Sequence, residues 1–319
     1  MIKNIWQTLK KPIMVLAPMA DVTDTAFRQV IARRGRPDLF FTEFVSADGL
    51  MHPKAKDRLK RDLYFSPSEQ PIIAQLFTSK PEVMAEASEF VASLGFAGID
   101  INMGCPDRSI EKQGCGSALI KNPTLAQALI KSAKQGSNLP VSVKTRIGYN
   151  QNTLHDWTQY LLEAEPSAIT FHLRTRKEMS KVPARWAEIK EAVALAKGSQ
   201  TLILGNGDVK DLTEAKAKAE AYDLAGIMLG RAIYGNPWLF SEIKPRAKEK
   251  IEALLEHVQL FDQSFSHEQI KNFAVMKRHF KSYLTGLEMT THLRHDLMET
   301  TTAKEAIDLL RSFLDQTKF

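Results

Sequence analysis

The chain has 319 residues, of which 44% are hydrophobic and 25% charged, a composition that excludes a disordered chain or a fibrous repeat. No stretch approaches the ~18 uncharged apolar residues of a membrane span, and Met1 to Pro12 lacks the apolar centre of a signal peptide, so a cytoplasmic protein is expected. The net charge of +6 invites a nucleic-acid partner but is unevenly placed: from Pro245 onward 11 Lys and Arg face 11 Asp and Glu, so the whole excess lies earlier.

Short runs rich in Val, Ile and Phe alternate with longer segments of helical period, the pattern of successive βαβ units. The spacing predicts strands over Ile13–Ala17, Leu39–Phe44, Ile72–Phe77, Gly98–Asn102, Val141–Thr145, Ala168–His172, Thr201–Gly205 and Gly226–Gly230. Helices are predicted between them, for instance over Pro81–Leu94 and Pro123–Lys134, each with Pro in the first turn, where its missing N–H costs nothing. Eight strands with seven intervening helical segments fit an α/β fold of the (β/α)8 TIM-barrel type better than an open sheet. After Pro237 the strand signals stop. Helices over Ile251–Phe261, Glu268–Leu284 and Ala303–Leu314 then predict a small helical domain, with the boundary at Ile243 giving domains 1–243 and 244–319.

In such a barrel the chemistry gathers at the carboxyl ends of the strands. Here those ends are polar: Pro18 and Met19 after the first, Gln75 in the third, Asn102 and Cys105 at the fourth, Lys144 and Arg146 at the fifth, and His172 at the sixth. Asn206, Gly207 and Asp208 follow the seventh strand, and Gly230 and Arg231 the eighth. Lys and Gln inside apolar strands are costly to bury without a partner, which a bound cofactor could supply. Glycine turns after strands seven and eight bring backbone N–H groups to an anion, so together they read as a phosphate site. A thiol at Cys105 would face the barrel mouth. With an ordinary pKa near ~8.5 it keeps its proton at neutral pH and can donate it, the other reading being a small buried hydrophobe. Cys115 reads as structural, and the spacing of the two cysteines suits neither a zinc pair nor a disulfide framework. His172, close to Arg174 and Arg176, reads either as an anion or base contact or as a satisfied core group.

At these strand ends the sequence resembles the tRNA-dihydrouridine synthase family of flavoproteins. The matching segments are APMADVTDTAFR from Ala17, AQLFTS from Ala74, DINMGCPDRSIEKQGCGSAL from Asp100, VSVKTRIG from Val141, FHLRTR from Phe171, LGNGDV from Leu204 and GIMLGRAIYGNPWLF from Gly226. The resemblance implies FMN as cofactor, NADPH as reductant and tRNA as substrate, in a monomer without a metal. It implies that Pro18, Met19 and Ala20 line the flavin, that Gln75 and Lys144 bond its ring, and that His172 lies close by. Asn206, Gly207, Asp208, Gly230 and Arg231 would hold the phosphate. Asn102, Arg146 and Arg174 would contact the uridine, and Cys105 would protonate carbon 5 after hydride transfer to carbon 6. Two departures stand out: Leu173 follows His172 where the family usually has glycine, and the loop Lys177 to Trp186 lacks the family's tyrosine.

Basic residues bunch at Arg28, Arg33, Arg34 and Arg36, at Lys54–Arg61 and at Arg174–Lys181, and any single cluster also reads as a solvated charged face. Those at Lys54–Arg61 and Arg174–Lys181 are expected on the rim that meets RNA, with Lys277, Arg278, His279 and Lys281, then Arg294 and His295, as a basic face of the tail. The alternatives are an FMN-dependent barrel oxidoreductase of a free pyrimidine, like a dihydroorotate dehydrogenase, flavin-dependent methyl transfer to RNA, and a non-catalytic RNA-binding barrel.

Overall fold

The computed structural model describes residues 4–266, 271–317 and 319. Among the described residues eight parallel strands are present: β1 (Ile13–Leu16), β2 (Phe40–Ser46), β3 (Ile72–Phe77), β4 (Gly98–Met103), β5 (Val141–Arg146), β6 (Ala168–His172), β7 (Leu202–Asn206) and β8 (Gly226–Leu229). Each lies within one or two residues of its predicted span.

The strands are ordered β1-β8-β7-β6-β5-β4-β3-β2 in one sheet. A parallel bridge between Val15 and Leu39 joins its two edges and closes the barrel. Asp38 secures that seam, its amide donating to the Met14 carbonyl at 2.9 Å and its carboxylate accepting from the Met14 amide at 2.7 Å. Gly226 opens β8 where a side chain would collide, since an added Cβ would lie 2.3 Å from the Ile13 carbonyl oxygen.

Helical segments fill every interval between strands, among them α1 (Thr25–Arg34), α2 (Pro81–Ser93), α3 (Pro123–Ser137), α4 (Leu154–Leu162), α5 (Ile189–Ala196) and α6 (Leu212–Ala221). Their starts follow local chemistry: Asp24 caps α1, Pro stands in the first turn of α2 and α3, and Asn122 caps α3. After the barrel come α7 (Ala247–Phe261), α8 (Met276–Leu284), α9 (Thr291–Glu299) and α10 (Ala303–Gln316). The helix predicted from Glu268 begins instead at Met276, after a tight turn at Phe273–Val275, and Glu268 itself lies outside the described residues. Among the described residues no helix is long and apolar enough to cross a membrane.

The chain divides into two compact units, and the division is discontinuous. One comprises Met1–Pro18, Asp38–Tyr64 and Gln70–Gly230, the other Met19–Pro37, Phe65–Glu69 and Arg231–Phe319. The first holds all eight strands. In the second, α7 packs on α1, α8 and α10, so the C-terminal helices share their core with α1, which precedes β2 in the chain. Phe27 of α1 stacks on His257 of α7 with ring centroids 4.7 Å apart and meets the edge of His279 of α8 at 4.9 Å. Arg28 of α1 is buried and paired with the buried Glu69, its Nη1 donating to the Thr23 carbonyl at 2.7 Å.

Candidate active site

Side chains two apart on a strand share a face. On β5 the outer face is identified by Thr145, whose hydroxyl accepts from Trp157 Nε1 of α4 at 3.0 Å. Ser142, Lys144 and Arg146 therefore point inward. The inner face of β4 carries Asp100, whose Oδ1 accepts from Ser142 Oγ at 2.6 Å, and hence also Asn102. Gln75 of β3 joins them: its Nε2 donates to Asp100 Oδ2 at 2.6 Å, and its Oε1 accepts from Asn102 Nδ2 at 3.2 Å. Asn102 Oδ1 accepts from the amides of Gly104 at 3.1 Å and Cys105 at 2.9 Å. The sheet register sets Asn102 beside Lys144, Arg146 beside His172, and His172 beside Asn206, so the strand ends form one polar layer.

The electrostatics of that layer follow from its enclosure. Burial pushes Asp100 up to about 6 against the pull of Ser142, Gln75 and Lys144. Burial, then the neighbouring Arg146, pushes Lys144 down to about 8. Among the described residues the Lys144 ammonium makes no hydrogen bond to the protein, so its donors remain unspent. Burial likewise raises the half-buried Cys105 thiol, outweighing the Asp107 backbone hydrogen bond and the cations Lys144 and Arg146. The thiol therefore holds its proton at neutral pH.

The Cys105 loop is braced from behind. Its carbonyl accepts from the Ser117 amide at 2.9 Å, and the Ser117 hydroxyl lies 2.9 Å from the same oxygen and 2.8 Å from Glu111 Oε1. Glu111 takes a forked pair of bonds from Arg176, which holds its carboxyl low against the opposing effect of burial. Gly116 has φ +61, and a Cβ there would lie 2.7 Å from the Cys105 carbonyl oxygen, so glycine is required where the two turns touch. Arg146 donates from Nε to the Gly104 carbonyl at 2.7 Å and from Nη1 to the carbonyls of Thr175 and Met179 at 3.2 and 2.9 Å. No protein acceptor of its Nη2 is found among the described residues.

Arg174 is buried and spends its nitrogens on the protein: Nε on the Val182 carbonyl, Nη1 on His172 Nε2 at 3.0 Å, and Nη2 on Asp208. A guanidinium only donates, so His172 Nε2 is the acceptor and the neutral ring carries its proton on Nδ1. Asp208 also accepts from the Ala184 amide at 2.9 Å, which ties the loop after β6 to the end of β7. Removing the guanidinium takes one donor each from the Val182 carbonyl, the half-buried His172 ring and Asp208. Arg174→Ala is expected to cost about 1–3 kcal/mol. It should also open the loop to trypsin at the exposed Lys177 and Lys181, with urea unfolding and limited proteolysis as the measurements. Unchanged cleavage would refute the pinning role.

Asn206 is buried with Nδ2 donating to the Met228 carbonyl at 2.7 Å, and neither Gly207 nor Gly230 has a protein acceptor for its N–H among the described residues. Leu173 is wholly buried, its amide donating to the Asn206 carbonyl at 3.0 Å. Pro18 ends the barrel unit's first segment, while Met19, Ala20 and Arg231 belong to the second unit. There the Met19 amide donates to Thr23 Oγ1 at 2.9 Å, and the Ala20 carbonyl lies 3.4 Å from Arg278 Nη1.

The basic clusters divide sharply. Arg28 is buried against Glu69, and Arg33 and Arg34 pair with Glu256. His279 of the tail cluster is buried at 1% exposure, so it cannot join a basic surface: the helix turns it inward against Phe27 and His257. Lys54, Lys56, Arg58 and Lys60 remain exposed, Lys56 lying 4.7 Å over the Phe90 ring, as do Lys177, Lys181, Lys281 and Arg294. Reading strand ends alone passes over Asp100, Ser142, Glu111 and Ser117. The signal for the first two was the alternation of polar residues at 100 and 102 and at 142, 144 and 146.

The model of the dihydrouridine synthase family matches residues 15–318, nearly the whole chain. The chain belongs to the dihydrouridine synthase family. Two relatives agree. A probable tRNA-dihydrouridine synthase of Staphylococcus aureus (strain COL) is 42% identical over 318 residues, covering 98% of this chain and 96% of its own. A probable tRNA-dihydrouridine synthase 2 of Bacillus subtilis (strain 168) is 42% identical over 319 residues, covering 98% and 97%. Among solved structures the synthase is similar in fold to morphinone reductase, with TM-score 0.54 at 12% identity over 73% of this chain and 86% of that one. It is also similar to a 2-naphthoyl-CoA reductase, with TM-score 0.55 at 12% identity over 75% and 52%.

Proposed function

We propose that this synthase binds FMN over the carboxyl ends of its barrel strands and, with NADPH as reductant, reduces the carbon 5/carbon 6 double bond of uridines in tRNA to dihydrouridine. The observation that carries the reading is the enclosed Lys144 ammonium, its donors unspent, on the strand position beside Asn102 and in the field of the Cys105 thiol. A cation pushed down to about 8 by enclosure suits an electron-rich ring that gains negative charge on reduction. The unspent N–H groups of Gly207 and Gly230 suit a phosphate.

Lys144 and the N–H groups of Gly207 and Gly230 would hold FMN, which when bound would supply hydride for carbon 6 of the uracil. Cys105 holds a proton on Sγ and delivers it to carbon 5, which completes the addition across the double bond. Arg146 fixes the ends of two loops with three of its N–H groups and keeps Nη2 for a uracil carbonyl. Asn102 sets the backbone of Gly104 and Cys105, and Arg174 holds the His172 ring in one tautomer.

A uracil can reach these strand ends only by leaving its stack. The names of the two relatives support tRNA as the molecule that presents it. Exposed cations at Lys54, Lys56, Arg58, Lys60, Lys177 and Lys181 support phosphate contacts from the barrel, and Lys281 and Arg294 support them from residues 244–319. Truncation after Ile243 is a poor probe of that second role, because it strips Phe27 of α1 of its His257 and His279 partners.

The test is the flavin spectrum. Purified protein should be yellow, bleach with NADPH without oxygen, and recover its colour on adding tRNA that lacks dihydrouridine. Recovery with orotate or free uridine but not with tRNA would favour the free-pyrimidine reading, and absence of flavin would end both.

A further inference from the structure

We propose that Asp100 is a positioning residue for the Cys105 loop, acting through the hydrogen-bonded row Asp100–Gln75–Asn102 that fixes which way each amide of the row points. Each bond of the row has a fixed direction. The amides of Gly104 and Cys105 can only donate, so Asn102 presents Oδ1 to them and is left with Nδ2 toward β3. Gln75 must answer with Oε1, which leaves its Nε2 aimed at β4. That donor is buried and needs an acceptor, and Asp100 Oδ2 supplies it at 2.6 Å. Ser142 Oγ donates to the other carboxylate oxygen at 2.6 Å, and the Gln75 backbone N–H donates to Thr42 Oγ1 at 3.0 Å. The row thus has one end made of donors only and one made of acceptors only, and neither side amide can turn over without placing like groups face to face. Asp100 touches no reacting atom in the proposed reaction. Its effect on turnover rests on the proton-donor reading of Cys105, whereas its effect on the row does not.

The row predicts a pattern that simple loss of stability does not. Asp100→Leu removes the acceptor, frees Gln75 to turn, and is expected to speed hydrogen exchange at the Gly104 and Cys105 amides about tenfold. Amides of β6, at residues 169–171, should keep their protection. Asp100→Asn is milder, because Ser142 can turn its proton to the Ile99 carbonyl 3.5 Å away and accept from the new amide. Gln75→Glu faces one carboxylate with another and should lose protection. Adding Asp100→Asn to it restores every match: the amide introduced at position 100 donates to the carboxylate introduced at position 75, which still accepts from Asn102.

The experiment is hydrogen exchange with mass spectrometry on the flavin-loaded protein, comparing wild type, D100L, Q75E and Q75E with D100N, alongside turnover of tRNA. Local loss in D100L and Q75E with recovery in the double variant is the expected result, accompanied by a kcat lower by roughly tenfold or more in the single variants at little-changed KM. Unchanged exchange in D100L, or no recovery in the double variant whether or not it folds, overturns the proposal. If D100L does not fold, the Q75E pair alone decides. Lost protection with unchanged turnover would uphold the row and refute the proton-donor reading of Cys105.

Discussion

Cys105→Ala is expected to lower dihydrouridine formation by roughly 10²–10⁴-fold, the contribution of a positioned general acid. The expectation follows from how the thiol is held. Burial raises it above the ordinary cysteine range, so it is a store of one proton and not a nucleophile at neutral pH. Asn102 grips its amide and Ser117 its carbonyl, so backbone on both sides of the side chain is fixed. Alanine keeps that backbone and removes only the acid. Bleaching of the flavin by NADPH should therefore be unchanged, and the loss should fall on the step that consumes RNA. Rapid-mixing absorbance separates the two, and equal RNA-driven reoxidation in the variant would contradict the assignment.

The second large effect lies in the helical unit and concerns stability. His257 and His279 are buried at 0% and 1% exposure, and both ring nitrogens of His257, Nδ1 of His279 and the Tyr283 hydroxyl have no hydrogen-bond partner among the described residues. Burial pushes His257 down to about 3, with Arg34 adding to the effect, and holds His279 well below the usual 6.5, where the neighbouring His257 adds and Asp24 opposes. The folded protein therefore keeps both rings neutral while the unfolded chain protonates them below 6.5. Stability is full above that pH and is lost as pH falls toward the folded values, at about 1.4 kcal/mol per pH unit for each ring.

Asp100 works in the opposite direction. Its folded value of about 6 exceeds the ordinary 3.8, so its ionisation costs stability as pH rises between them, and acid relieves that cost for one group against two. The net expectation is a steep acid loss of helical structure between pH 6 and 4, read by urea unfolding at each pH. Replacing both histidines by Phe keeps rings beside Phe27 and should flatten the slope. An unchanged slope would show that the acid sensitivity lies elsewhere.

Much of the architecture was legible because it depends on local pattern. Alternating apolar runs and helical periods located every strand, and the polar strand ends pointed to Gln75, Asn102, Lys144 and Arg146, which the structure gathers on one inner face. What the sequence concealed is long-range pairing. Arg174 and Arg176 read as free cations but meet Asp208 and Glu111, 34 and 65 residues away. His279 read as part of a basic face because its neighbours are cationic, yet the helix turns it onto Phe27. Asp100 looked like the start of a motif, and only the strand register brings its carboxylate to Gln75 and Ser142. The sharing of a core between α1 and the tail has no periodic signature either, since contact between residues 27 and 257 leaves no mark on local composition.

In the proposed reaction this barrel adds hydrogen across a uracil double bond within tRNA, with Cys105 as the acid. Nucleoside mass spectrometry by position, on unmodified tRNA incubated with the purified protein and NADPH, tests it most directly. Gain of two hydrogens at defined uridines is expected with wild type and almost none with Cys105→Ala. A product carrying a methyl group, or equal dihydrouridine from both proteins, would contradict it.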